Sequence, residues 1–209
     1  MPVLAPITLT GRHVRLEPLS RAHGPALVAA AASGPRETYA FTWVPATEAD
    51  AATYVDEALK LHAAGKALPF ATIDAATGRV VGSTRYLNVE FWTWPAGNPL
   101  QRGEALPDVV EIGATWLAPA AQRTPINTEA KLLMLTHAFE VWRVHRVSLM
   151  TDARNMRSRN AILRLGAKFD GVLRAARVAV DGVIRDTAAF SIVESEWPGV
   201  KAGLEAKLG

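Results

Sequence analysis

Residues 108–166 read DVVEIGATWLAPAAQRTPINTEAKLLMLTHAFEVWRVHRVSLMTDARNMRSRNAILRLG, and the periodicity of this stretch decides the fold. Val110, Ile112, Ala114 and Trp116 alternate with Glu111, Gly113, Thr115 and Leu117. That is a strand apolar on both faces, hence a buried one. From Glu129 the period becomes helical through Leu132, Leu133, Leu135, Thr136 and Phe139, with Thr128 expected as the cap and Glu129 favouring the positive end of the dipole. Val147, Leu149 and Asp152 return to a strand that ends in a polar turn. Ala161, Ile162 and Leu165 then give a last short helix its apolar face, and Gly166 ends it. Strand, helical crossover, strand is the pattern of a βαβ unit.

Outward from this unit, Val14 and Leu16 alternate with Arg15 and Glu17 in a first strand. Ser20 can cap an Ala-rich helix, and Thr47 with Asp50 three residues later opens a second, which runs to about Gly65. The segments around Phe70–Asp74 and Val80–Tyr86 read as a hairpin across the ATGR turn. Residues 87–106, with Phe91, Trp92 and Trp94, form an apolar excursion without regular period, suited to the acceptor side of a site or to a partner subunit. Strands on either side of Asp181-Gly182 make a final hairpin. Residues 198–209 read as a weakly structured tail.

The pieces EIGATWLAP, QRTPINTEA, NMRSRNAILRLGAKFDGVLR and DGVIRDTAAFSI, in this order and spacing, resemble the GCN5-related N-acetyltransferase family. The resemblance extends to the branch that holds the ribosomal-protein N-terminal acetyltransferases and covers nearly the whole chain. It implies one N-acetyltransferase domain over residues 1–209, an α/β fold with a central, mixed but mostly antiparallel twisted sheet of about seven strands, and helices on both faces. It implies acetyl-coenzyme A as co-substrate, an amine acceptor (a peptide N-terminus or a small molecule), direct transfer and no metal. Homodimers are common among such enzymes, and a homodimer is carried as an open alternative.

Carried onto this chain, the resemblance assigns coenzyme binding to the backbone at Trp116 and Leu117, to the loop residues Gln122, Arg123, Thr124, Asn127 and Thr128, and to Asn155 and Ser158. The family loop is rich in glycine; this one has none, and Pro125 brings no N–H to a phosphate nest. Arg123, the Thr and Asn side chains and the first amides of the helix are the available replacements. The tyrosine that most relatives use near the leaving sulfur is missing from AILRLG, and the resemblance offers Ser158, which could equally cap its helix. Glu111, a carboxylate on an apolar strand and read as sharing the Thr115 face, is the candidate base; a structural carboxylate paired with an arginine is the other reading. The ribosomal branch has a glutamate where this chain has Arg177, which argues against simply adopting that branch's acceptor. A catalytically silent acyl-coenzyme A-binding or regulatory module remains the alternative function.

Composition narrows the choice. The chain has 209 residues, 49% of them hydrophobic and 21% charged, and a mean hydropathy of +0.09, which suits a globular domain with a good-sized core. It contains no cysteine, so disulfides, thiolate metal sites and a cysteine nucleophile are excluded. No serine lies in a nucleophile-elbow motif. A net charge of +3 without a basic stripe interleaved with aromatics argues against nucleic acid as partner. No apolar run reaches spanning length and the first residues are not a leader, so no membrane partner and a cytoplasmic location are expected.

Overall fold

A computed structural model of the chain describes residues 4–103 and 105–209. Among these residues eight strands form one sheet: β1 (Leu9–Thr10), β2 (Val14–Pro18), β3 (Ala67–Asp74), β4 (Val80–Glu90), β5 (Val109–Leu117), β6 (Arg146–Asp152), β7 (Lys168–Val178) and β8 (Ile184–Val193). Their spatial order is β1-β2-β3-β4-β5-β6-β8-β7, and every pairing is antiparallel except β5 with β6. The strand beyond the expected seven is the two-residue β1, too short for any period to reveal.

Among the described residues five α-helices cover the sheet: α1 (Gly24–Ala31), α2 (Glu48–Ala63), α3 (Pro125–Thr136), α4 (Met156–Leu165) and α5 (Trp197–Ala206). On one face Leu27, Val55 and Ala58 of α1 and α2 pack with Ala71, Ile73 and Trp116. On the other, Met134 and Leu135 of α3, Ile162 and Leu165 of α4 and Leu204 of α5 close over Phe70, Tyr86, Ile112, Val147 and Phe190. The capping box at Thr47 forms as its spacing predicts: Asp50 N donates to Thr47 Oγ1 at 3.1 Å, and Thr47 N to Asp50 Oδ2 at 3.0 Å.

Two expectations are corrected. The final residues are not loose, because Leu204 is fully buried and Trp197 stacks on Phe139 with ring centroids 5.3 Å apart. The long crossover helix starts at Pro125, capped by Thr124, and not at Glu129 after Thr128. Proline at the first helical position has no N–H to lose there and has its φ preset, so Thr124-Pro125 outcompetes Thr128-Glu129 as a start. Glu129, one turn further in, turns away from the helix end. It accepts the backbone N–H groups of Arg12, His13 and Val14 at 2.8, 2.6 and 2.9 Å, tying α3 to the β1–β2 connection.

Candidate active site

The site begins with a defect in β5. Arg85 pairs with Gly113 and Ser83 with Trp116, so β5 carries one residue more than β4 between these pairs. Ala114 absorbs it at φ +47, an uncommon conformation for a residue with a Cβ. The bulge reverses the alternation, and Glu111 and Thr115 therefore do not share a face. Thr115 Oγ1 meets Thr84 Oγ1 at 2.7 Å on the α3 side. Glu111 points the other way, with its carboxylate beside Gly113 and Leu87.

Beside the bulge the sheet opens. Only Val109, Val110 and Glu111 pair with Arg146, Val147 and Ser148; beyond Glu111 the two parallel strands diverge. The cleft between them has a volume of about 720 Å³. Glu111, Trp116, Leu117, Gln122, Arg123, Thr124, Asn127, Thr128, Asn155 and Ser158 all line it, so the structure brings together every candidate catalytic and coenzyme-binding residue, whereas Phe91, Trp92 and Trp94 of the apolar excursion do not line it.

Their local bonds differ. Trp116 is buried, and its indole N–H donates to Tyr54 Oη at 3.3 Å. Gln122 Nε2 donates to Leu117 O at 2.8 Å, and its Oε1 accepts from Arg157 at 3.3 Å. Thr124 Oγ1 accepts weakly from Ile126 N at 3.4 Å and donates to Ala121 O at 2.7 Å. Arg123 is exposed and stands at φ +61, the backbone state a glycine would adopt freely. The turn needed before α3 is thus made without glycine, and the start of the helix faces the cleft. A left-handed residue followed by a helix N-terminus is a fitting cradle for a pyrophosphate. Residues 114–117, freed by the divergence, suit an extended amide-bearing arm, so the residues present fit acetyl-coenzyme A.

At α4, Asn155 Oδ1 accepts Ser158 N at 3.0 Å. Asn155 is therefore the cap, which settles the capping alternative for Ser158: its hydroxyl is free of that duty. Glu111 is 5% exposed, and burial pushes its carboxyl pKa up, countered by the Asn88 hydrogen bond and by the charges of Arg177 and Arg185. No arginine lies within ion-pair distance of it among the described residues.

Three basic residues in the cleft escaped the sequence reading of the site. Lys131 is buried, its Nζ donating to Thr84 Oγ1 at 3.0 Å and Thr115 Oγ1 at 2.8 Å, and burial lowers its pKa to about 7. Its place among Ala130, Met134 and Leu135 on the apolar face of α3 was the available signal. Arg85 and Arg185 lie on strands with nothing in the neighbouring sequence to mark them as cleft residues. Among the described residues no group of three or more His, Asp or Glu side chains could hold a metal ion, and no helix is long and apolar enough to cross a membrane.

Residues 13–168 match the family described as Acetyltransferase (GNAT) domain. The chain belongs to the GNAT acetyltransferase family. Among solved structures, a GCN5-related N-acetyltransferase from Brucella melitensis superposes with a TM-score of 0.80 at 34% identity, covering 100% of this chain and 88% of that one. A provisionally assigned acetyltransferase from T. thermophilus gives 0.79 at 34% identity, with 99% of both chains covered. YdaF of Bacillus subtilis (strain 168), whose name assigns it provisionally to the ribosomal N-acetyltransferases, is 32% identical over 91 residues. That match takes in 44% of this chain and spans about half the length of the relative. The family is described as acetyltransferases, and both solved structures carry that description.

Proposed function

We propose that this GNAT protein transfers the acetyl group of acetyl-coenzyme A directly to a primary amine of a peptide N-terminus or small molecule. The observation that carries the reading is the position of Glu111: a buried carboxylate, pKa raised by burial, at the point where β5 and β6 part and in the same cleft as the cradle before α3. The coenzyme supplies an activated thioester when bound. Glu111, through water, takes the ammonium proton so that a neutral amine attacks the carbonyl carbon as the C–S bond breaks. The Ser158 hydroxyl gives its proton to the departing sulfur and takes in turn the second proton that the nitrogen loses on becoming an amide, so coenzyme A leaves as the neutral thiol. Arg123 and the start of α3 hold the pyrophosphate, and the backbone at residues 114–117 orients the arm. The 209 residues act as one N-acetyltransferase unit, since one sheet runs through the two core clusters.

Mass spectrometry of products from acetyl-coenzyme A with an amine and peptide library tests this reading. Acetylated amines are expected, with the rate falling in Glu111→Gln. Tight acetyl-coenzyme A binding with no product from either library would instead make the chain a silent binding module.

A further inference from the structure

Arg85 is the odd group in the cleft. Its side chain springs from β4 opposite Gly113, on the face that carries Glu111, and Arg85 is only 8% exposed. Its Nε is buried without a hydrogen-bond partner, and its guanidinium forms no ion pair with any described residue. The face of Tyr54 lies beside it, with Cζ 5.1 Å from the ring centroid. The carboxylates on this side are otherwise engaged: Glu111 accepts from Asn88 and Asp152 from Arg154. Arg177 and Arg185 add positive charge to the same wall. A guanidinium cannot shed its proton, and burying it unpaired is costly unless a ligand supplies the anion.

The coenzyme's phosphates are poorly placed to be that anion. Their cradle lies beyond Leu117, four residues along β5 from Gly113 and so roughly 13 Å away. We propose that Arg85 is the seat of a carboxylate carried by one of the two reacting molecules, either the acceptor amine or the transferred acyl group. This rests on the transfer reading above, and it makes the substrate class an amino acid-like or acidic acceptor, or else a dicarboxylic acyl thioester. The planar fork matches a carboxylate with two parallel hydrogen bonds, and the Tyr54 ring lies beneath it.

The test compares matched pairs in wild type, Arg85→Met and Arg85→Lys. One arm offers amino acids and short acidic peptides against their carboxamides, with acetyl-coenzyme A. The other offers succinyl- against butyryl-coenzyme A, with a neutral amine. The carboxylate member is expected to win by tenfold or more in kcat/KM in one arm, which identifies the source. That ratio should collapse toward unity in Arg85→Met and recover in part in Arg85→Lys. The melting temperature of Arg85→Met should stay level or rise, because no protein partner is orphaned. Equal rates within both pairs in wild type, or a preference that survives in Arg85→Met, would overturn the proposal. Calorimetry with succinate and coenzyme A separates the two readings. Succinate binding that weakens at least tenfold in Arg85→Met, in a protein without turnover, supports the anion seat and sinks the transfer reading; equal binding to both proteins overturns the seat.

Discussion

Asn88 Nδ2 donates to Glu111 Oε2 at 2.7 Å, across the edge of the bulged β4–β5 pair. This bond stabilises the ionised carboxylate and opposes the burial that pushes the Glu111 pKa up. A base works when deprotonated, so activity fades as pH falls through that raised pKa. Asn88→Gly keeps the residue's positive φ of +47 at no steric cost and removes the bond. The acid limb of its kcat/KM profile should move to higher pH, and Glu111→Gln should lower kcat by about 10²–10⁴-fold.

Arg123 contributes both a charge and a left-handed backbone, and two variants separate them. Arg123→Ala loses the charge and keeps a Cβ in the left-handed turn, as in wild type; Arg123→Gly loses the charge and relieves that strain. Arg123→Gly should weaken acetyl-coenzyme A by about 1.5 to 3 kcal/mol, the scale of a hydrogen bond to a charged group. A pantetheine thioester without the pyrophosphate should lose far less, and added salt should weaken the wild-type complex. Equal calorimetric losses for both ligands would mean that Arg123 does not address the phosphates.

Lys131 predicts an unusual stability profile. Its pKa falls from an ordinary 10.5 unfolded to about 7 folded. Between those values the unfolded chain binds the extra proton, so this group makes unfolding free energy rise with pH from about 7 toward 10.5. Below pH 7 its burial cost is felt in full. Lys131→Met should therefore stabilise the fold by about 2 kcal/mol at pH 6 and by much less at pH 10. Urea melts at the two pH values measure the difference.

Glu129 is a structural carboxylate, and its loss should act on the fold first. Glu129→Ala strands the N–H groups of Arg12, His13 and Val14 and should cost on the order of 3 kcal/mol. Denaturant midpoints report it, and hydrogen exchange should accelerate first at residues 9–16.

The strand at 109–117, the second early helix with its Thr47 cap and the final hairpin were legible because contrast between apolar and polar positions marks their faces. The first helix was legible but its start was misplaced, since Ser20 opens only a short 3-10 turn and α1 begins at Gly24 after His23, with no side-chain cap. The bulge was not, since Gly113, Ala114 and Thr115 are small residues of similar polarity and alternation passes over them silently. The misplaced start of α3 has a related cause: Thr128-Glu129 looks like a local cap, and only tertiary packing reveals that Glu129 serves residues 116 positions away. The cleft-lining residues Asn155 and Gln122 were found through motif order, whereas Arg85 was not, because in sequence a buried arginine on a strand looks the same as an exposed one.

The three-pair ladder between β5 and β6 makes the sheet two plates stitched along a short seam. The unpaired backbone of both plates faces the notch as two sheet edges would. An extended molecule that bridges the notch with amide bonds serves as a missing strand and as a prop between the plates. Occupancy and stiffness are then the same event. The apoprotein should scissor about the pairs at 109–111 and 146–148, and a filled notch should slow hydrogen exchange on both strands together.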